Sequence, residues 1–465
     1  MSSAGSPIRY PDTSSPKVMT TRAWWLVVLN VLFPGSAQLL AGNRRLGRFG
    51  VAATLIAWIL VVLLLIIGAL WPTAMYTLGT FPVSLILGQI ALFFYAILWL
   101  ILTLDTLRLA RIVKTGPSAR FWVAGFAIVL LVLTSGTAAY SATLMGGLNG
   151  AISKIFVAGP SEPPVDGRYN FLLLGGDSDP TRAAEGMGMR PDTTQVVSID
   201  ATTGAATVIG LPRDLHNMPF PEGTPMFDIY PGGYTEEAAS MCTEWACLNT
   251  VYVDAEVNYP DSFPAQAKKG IPAGVAAMME AAEGATGLTI QYFVMIDMAG
   301  LQELIDSLGG VDINVPERVA MAEPGVPEDQ VPEWIEAGPQ HLDGAHALMF
   351  ARSRWSGLGD YDRMMRQQML QEALLTAMSP ANILTKFQEI AAAGTHVIQT
   401  NVPQSMLGYF VDLGMKTRKL PMGKMELTPN YAPYPVDPQA PDYVGIHDYI
   451  HSVLYPPSPT PSPGN

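Results

Sequence analysis

Three long stretches without a charged side chain, residues 49–71, 82–104 and 121–145, constrain this chain more than any other feature of its sequence. A helix crosses a hydrocarbon core of roughly 30 Å with about 20 apolar residues, so each stretch is long enough to span a membrane. A fourth apolar stretch, 24–41, is shorter and carries Pro34 and Gly35 near its middle, a pair that breaks or kinks a helix. It reads as re-entrant or interfacial. Several long spans in succession, with no short apolar region ending at a small-residue cleavage site, argue against a cleaved signal peptide.

Positive charge sets the expected orientation. Arg44, Arg45 and Arg48 precede the first span, and Arg108, Arg111, Lys114 and Arg120 separate the second from the third. Both segments are expected on the cytoplasmic side. The loop 72–81 carries no charge, as expected of an outer loop, and the tail with Arg9, Lys17 and Arg22 falls inside. Three crossings then leave everything beyond about residue 150 outside the cytoplasm. That holds whether or not 24–41 crosses, because the later loops keep their charges.

The composition changes at the same point. The first 150 residues hold ten Lys or Arg and two acids, Asp12 and Asp105, while the rest hold 17 basic and 38 acidic residues. A part carrying a formal charge of about −21 is a poor match for nucleic acid, which is normally bound by a basic face. Nucleic acid is therefore not expected as a partner. Cys242 and Cys247 are too few for a disulfide scaffold and lack the histidines of a zinc site. In an oxidising compartment they would pair with each other; the alternative is two buried thiols.

The chain divides on these grounds into a cytoplasmic tail 1–23, a transmembrane region 24–150, a linker 151–168, an outer α/β unit 169–378, a C-terminal extension 379–455 and a disordered, Pro- and Ser-rich tail 456–465. Within the outer unit, 169–174 reads as a buried strand closed by Gly175 and Gly176. Runs 195–199 and 206–211 read as a hairpin about Thr202, Thr203 and Gly204. Helices are expected at 273–286, 299–308 and 344–351, a strand at 290–296, and 311–315 resumes the sheet. A last helix, 362–378, places Met365, Met369, Leu370 and Leu374 close to one face. Alternating strands and helices give a three-layer α/β/α sandwich with a central mixed β-sheet, preceded by the helical transmembrane region.

The outer unit is sparing with basic residues, yet Arg190, Arg213, Arg352, Arg354, Arg363 and Arg366 sit in short clusters interleaved with acids. Any one of them alone is as readily a surface ion pair worth about 0–1 kcal/mol. Four cations within fifteen residues, 352–366, repel one another unless an anion holds them. The planar guanidinium fork grips phosphate oxygens in pairs, so converging arginines make a pyrophosphate clamp. Arg363, Arg366 and Gln367 stand at i, i+3 and i+4 and are expected on one face of a helix start, itself suited to an anion. Asp177, Asp192 and Asp214 border strand ends, where site loops gather, and together offer oxygen ligands for Mg²⁺. His216, His341 and His346 lack metal-ligand spacing and read as ordinary loop or surface histidines. No P-loop, serine elbow or HExxH motif is present.

In chain order these pieces resemble the LytR-CpsA-Psr family. The match runs through Asn170-Phe-Leu-Leu-Leu-Gly-Gly-Asp177-Ser178, Arg190-Pro-Asp192-Thr193 and Leu211-Pro-Arg213-Asp214. It continues at Asn249, at Gly309-Gly-Val-Asp-Ile-Asn-Val-Pro316, at Arg352-Ser-Arg354 and at Asp362-Arg363-Met-Met-Arg366-Gln367-Gln368. The resemblance implies an α/β/α fold with an apolar pocket for a polyprenyl chain. It also implies a Mg²⁺-dependent phosphotransferase that moves a glycan phosphate from polyprenyl pyrophosphate to peptidoglycan, making a phosphodiester. By position, the six arginines and Gln367 would bind pyrophosphate and Asp177 and Asp192 the metal. Arg213, Arg354 and either Asp214 or Asp362 would serve the chemistry, the acid orienting an arginine or accepting the hydroxyl proton. The alternatives are a polyprenyl-pyrophosphate hydrolase and a non-enzymatic regulatory protein that binds polyprenyl lipid. Two departures stand out: Asp179 replaces the family's usual Arg, with Arg182 nearby, and a long segment with the two cysteines separates Arg213 from Asn249.

Overall fold

The computed structural model describes residues 8–177, 190–235, 247–322, 326–353, 355, 360–378, 382, 386, 390 and 398–456; residues 177, 190, 192, 298, 299, 360 and 361 are described by their backbone alone. The chain forms two compact units, Met1–Gly150 and Ala151–Asn465.

In the first unit, Ser15 caps α1 (Pro16–Leu32) by accepting from the Val18 amide, and Pro16 sits at the helix start. The helix therefore begins well before residue 24, where the tail was expected to end. It stops at the Pro34-Gly35 break, where Gly35 takes φ +97°, and the chain turns into the short α2 (Ser36–Ala41). Three helices follow that are long and apolar enough to cross a membrane: α3 (Arg44–Leu70), α5 (Pro82–Ala110), continued by a 3₁₀ turn to Lys114, and α6 (Ala119–Ile155). Between the first two lies α4 (Pro72–Thr80), so the uncharged segment 72–81, expected as a loop, is itself helical.

The pair α1–α2 doubles back on α5. Arg22 Nη1 donates to the Leu109 carbonyl at 2.7 Å, and Asn30 Nδ2 reaches Thr103 Oγ1 at 3.2 Å. After the break, Gln38 Nε2 returns to the Leu102 carbonyl and to Thr106 at 2.8 and 2.9 Å, and Gly42 lies against Leu109. Arg22 and Gly42 thus both reach Leu109, while Asn30 and Gln38, on either side of the break, reach Thr103 and Leu102. A Cβ on Gly35 would come 2.6 Å from the Val51 amide nitrogen and one on Gly47 2.5 Å from that of Leu39, so only glycines let the break pack on α3.

In the second unit a six-stranded mixed sheet runs in the order β10-β3-β2-β1-β4-β9. Its strands are β1 (Arg168–Asp177), β2 (Arg190–Asp200), β3 (Ala206–Leu211), β4 (Tyr292–Asp297), β9 (Ile398–Thr400) and β10 (Gly423–Glu426). β1 pairs antiparallel with β2 and parallel with β4, and β3 pairs antiparallel with β2 and parallel with β10. The β2–β3 turn is held by Asp200 Oδ1, which accepts from the Thr202 and Thr203 amides at 3.0 and 2.7 Å.

Side chains alternate across the sheet as the pleat requires. Leu172, Leu174, Val196, Ile209, Phe293 and Met295 face a core built with α7 (Leu248–Asn258), α8 (Ala273–Thr286) and, near the chain's end, α13 (Tyr443–Leu454). Tyr169, Phe171, Ile199 and Tyr292 face the other way, onto Tyr409 and Phe410 of α12 (Leu407–Thr417). The three layers are α/β/α, as the sequence predicts.

Two expectations are corrected. Val311–Val315 (β5) follows helix α9 (Met298–Leu308), but it does not rejoin the central sheet. It pairs antiparallel with β8 (Gly338–Leu342) in a separate ribbon, beside a second two-residue pairing of β6 (Val319–Ala320) with β7 (Trp334–Ile335). The unit also does not end at residue 378: β9 and β10, the two sheet edges, come from the supposed extension, and α12 covers one face. Residues 457–465 of the tail lie outside the described residues.

Candidate functional site

The first three motifs meet at one end of the sheet because of strand direction and register. Asp177 ends β1 opposite Arg190, which begins β2, and Gly176 stands opposite Pro191 after a bulge at Gly175/Gly176. The backbones of Asp177, Arg190 and Asp192 are thereby neighbours, while the reach of their side chains lies outside what is described. Thr194 pairs with Leu211, so β3 ends at the same edge and releases Pro212, Arg213 and Asp214 there. That turn is tied to the start of α7: the Asn249 amide donates to the Arg213 carbonyl at 3.1 Å and the Leu248 amide to the Leu215 carbonyl at 3.0 Å. This explains why the fourth motif, at Asn249, belongs with the third despite the long intervening segment.

Helix α11 (Asp360–Ala377) supplies the other wall. Its Arg363, Met364 and Gln367 line a narrow cleft with Thr193, Thr194, Gln195, Arg213 and Asp214, with space for about one water. The structure thus gathers Arg213, Asp214, Arg363 and Gln367. Polar atoms here are buried without a hydrogen-bond partner among the described residues: Asp214 Oδ1, Thr193 Oγ1, Thr194 Oγ1 and Gln195 Nε2. So many orphaned polar atoms are costly unless water, an ion or a ligand satisfies them.

Arg366 is placed differently. It is 2% exposed, its Nε donates to the Phe350 carbonyl at 2.9 Å, and its Nη2 donates to the Ser353 carbonyl. These carbonyls close the C-terminus of α10 (Gly344–Arg352), and Gln367 Nε2 adds a long contact to Ala351 O at 3.4 Å. Arg366 thus does not share the cleft face of Arg363, because α11 packs on α10 along that side. Burial holds Arg366 below the ordinary arginine value, while Asp362 and Glu317 oppose that shift. Asp362, 7% exposed, therefore acts electrostatically on a buried arginine. Of the expected apolar face, Met369, Leu370 and Leu374 join the apolar cluster formed with β5 and α10, whereas Met365 is 46% exposed and Met364 is buried in its stead.

Arg352 is exposed on the last turn of α10, and Ser353 is buried with its hydroxyl on the Ala320 carbonyl at 3.1 Å. Arg354, Cys242, Asp179 and Arg182 lie outside the described residues. Cys247 caps α7 and its Sγ contacts Asn249 Oδ1 at 3.0 Å. His341 and His346 bind nearby acids, Asp312 at 2.8 Å and Asp343 at 2.6 Å, in keeping with their reading as ordinary histidines.

Two acids escaped the sequence reading. Asp297 ends β4 in register with Gly176, at the same sheet end as the arginine motifs. The signal was an acid directly after a predicted strand, Ile296 being the last residue of that run. Glu426 lies on β10 in register with Gly210, which is itself paired with Gln195. Its Oε2 occupies the space a Cβ on Gly210 would need, and both its oxygens are buried without a hydrogen-bond partner among the described residues. Burial pushes this carboxyl up to about 8, with Lys424 opposing. An isolated Glu in a short edge strand gives no local signal of this.

Among the described residues no three His, Cys, Asp or Glu side chains form a metal-holding group. The donors that border the site are nonetheless carboxylates, and the orphaned Asp214 Oδ1 suits a hard cation bound through oxygen.

Comparison with known proteins agrees with the motif order. Corynebacterium glutamicum LcpB, named a probable cell wall biosynthesis protein, is 37% identical over 137 residues, 29% of this chain and 31% of its own length. Enterococcus faecalis TagU, named a polyisoprenyl-teichoic acid–peptidoglycan teichoic acid transferase, is 26% identical over 236 residues, 50% of this chain and 61% of its own. The chain thus spans less than two thirds of the length of these relatives. The crystal structure of Bacillus subtilis TagV aligns at 21% identity and a TM-score of 0.42, covering 62% of this chain and 98% of that one. The model of the LytR_cpsA_psr family matches residues 153–430, from the end of α6 past the last strand, and with the arginine motifs gathered at one sheet end the chain belongs to that family.

Proposed function

We propose that the second unit transfers a glycan phosphate from a polyprenyl-pyrophosphate carrier to a hydroxyl of peptidoglycan. The observation that carries this reading is the meeting of Arg213 and Arg363 with Asp214 and Gln367 at the sheet end where Asp177, Arg190 and Asp192 also lie. The relatives named as teichoic acid transferases support the choice of reaction. The acceptor oxygen attacks the phosphorus that bears the glycan. The bond from that phosphorus to the bridging oxygen breaks, and polyprenyl monophosphate leaves with the electron pair. The hydroxyl proton passes to a carboxylate, and the position of Asp214 on the cleft supports that residue over Asp362 in the role.

Such transfers are catalysed mainly by positioning and by neutralising phosphate charge, so no covalent nucleophile is needed. Arg213 and Arg363 hold the pyrophosphate from opposite walls, one from the β3 turn and one from α11, and Gln367 fixes an oxygen between them. Arg190, Arg352 and Arg354 extend the clamp. Arg366, with Asp362, supports it from behind by locking α10 against α11. Asp177 and Asp192 would hold Mg²⁺ through carboxylate oxygens, and the ion would supply charge neutralisation at the pyrophosphate. The three long helices anchor the chain in the cell membrane. The basic flanks at 44–48 and 108–120 place their loops in the cytoplasm and the site outside it.

The test is transfer of radiolabelled glycan phosphate from a polyprenyl-pyrophosphate donor to peptidoglycan by the full chain with Mg²⁺. Label appearing on peptidoglycan supports the reading. Free glycan phosphate as the sole product would replace transfer by hydrolysis, and donor binding without turnover would leave a lipid-binding regulatory protein.

A further inference from the structure

The first unit carries a feature that the transfer reaction does not use. On the outer side of the α1–α2 hairpin runs an apolar groove of about 770 Å³, within the size range of a site for a lipid or drug-sized molecule. One face of α1, with Arg22, Leu26 and Asn30, is buried. The adjoining strip, Val18, Trp25 and Leu29, lines the groove, and Leu40 of α2 closes it.

The groove is graded along its length. Lys17, Thr21 and Arg22 stand at the end nearest the start of α1, and Trp25, Leu29 and Leu40 follow toward the break. Arg22 is 7% exposed, and its Nε and Nη1 are fixed on the carbonyls of Ile8 and Leu109 at 2.6 and 2.7 Å. Arg111, at the end of α5, lies close enough to act on the Arg22 charge. Among the described residues, none of Lys17, Arg22 and Arg111 makes a salt bridge, and this unit offers only two acids: Asp12, bound to Ser14, and Asp105, beside Arg108. Two cations, Lys17 and Arg22, at one end of an apolar groove, with Arg111 adding its charge to Arg22, repel one another until an anion joins them.

We infer that this groove is a binding site for an anionic phospholipid, whose phosphate meets Lys17 and Arg22 while an acyl chain lies along Trp25, Leu29 and Leu40. The three long helices beside it put the groove in contact with lipid, and the indole of Trp25, 57% exposed, suits the boundary between headgroup and chain. A zwitterionic headgroup brings its own cation along with the phosphate and leaves the net positive charge in place, so the site selects by net charge. The inference rests on the membrane reading of the first unit and is independent of the chemistry of the second.

The test uses the full chain in mixed vesicles of phosphatidylglycerol and phosphatidylcholine, extracted mildly and weighed by native mass spectrometry. One phosphatidylglycerol is expected to stay bound at roughly tenfold preference. K17Q should bring the preference near parity, and L40W, which fills the apolar end, should remove retained lipid of either kind. Circular dichroism of both variants confirms that the helices are intact. Equal retention of the two lipids by the wild type, or phosphatidylglycerol retention unchanged in L40W, would overturn the site. Retention that appears only after deletion of residues 2–7 would mean that the chain's own start fills the groove, and would overturn it equally.

Discussion

Two arginines one helical turn apart show how one motif serves two tasks. Arg363 lines the cleft with Arg213, whereas Arg366 is buried on the last carbonyls of α10. Replacing Arg213 by Ala removes the proposed phosphate ligand from a half-buried turn. It should lower transfer by about a hundredfold or more, on the scale of losing one charge-stabilising donor, with the thermal midpoint little changed. Replacing Arg366 by Met leaves the Phe350 and Ser353 carbonyls buried without a donor. This should cost about 3 kcal/mol in urea unfolding as well as activity. If Arg366→Met unfolds like the wild type, its role as a structural tie is wrong. The motif spacing in the sequence located the cluster but did not divide these roles, because the division depends on which neighbour α11 packs against. Glu426 was invisible for the same reason, since it reaches the site region through register with a distant strand, whereas Asp297 carried a signal, an acid at a strand end, that only its pairing with β1 makes meaningful.

At the level of elements, local patterning was most legible where it is self-contained. Helix 273–286 has the predicted bounds, and its Gly287 stop adopts φ +71°. The strand 311–315 was also legible, but its partner was not, since alternation along a strand says nothing of which strand it joins. The edges β9 and β10, three and four residues long, lacked enough sequence to show a period. Close packing between elements depends on single glycines in a way no pattern records. A Cβ on Gly284 of α8 would fall on the carbonyl of Pro219, which is backbone and cannot rotate aside. Gly284→Ala should therefore destabilise the second unit by about 1–3 kcal/mol through overpacking. Gly232→Ala, with nothing within 4 Å of its Cβ and no positive φ, should be neutral within about 0.5 kcal/mol. Urea midpoints of the two variants give the comparison.

Over the whole molecule, the pH dependence of stability is set against the alkaline side, because the mutual repulsion of an acidic unit and the desolvated carboxyls of three glutamates act in the same sense. Burial raises Glu280 and Glu283 to about 7 and Glu426 to about 8, although the Met226 and Ile290 amides partly offset this for the first two. The native state thus holds protons that the unfolded chain, with glutamates near 4.5, has already released. Unfolding stability must then fall as pH rises from about 5 toward 8, by up to about 1.4 kcal/mol per pH unit for each group. It levels off once the native groups ionise. Asp200 and Asp343, held below the ordinary carboxylate value, act in the opposite sense, but only near and below pH 4. Urea unfolding of the wild type between pH 5.5 and 8.5 should therefore show its higher midpoint at the acid end. Glu426→Gln, which keeps the shape and cannot ionise, should lose part of that slope and gain on the wild type at pH 8.5. A variant with the same slope as the wild type would mean that Glu426 is already charged in the native state, with a counter-charge or water reaching its oxygens. The same substitution separates stability from chemistry: if the carboxyl acts only through the fold, the pH dependence of transfer should follow the folded fraction and show no limb of its own near 8.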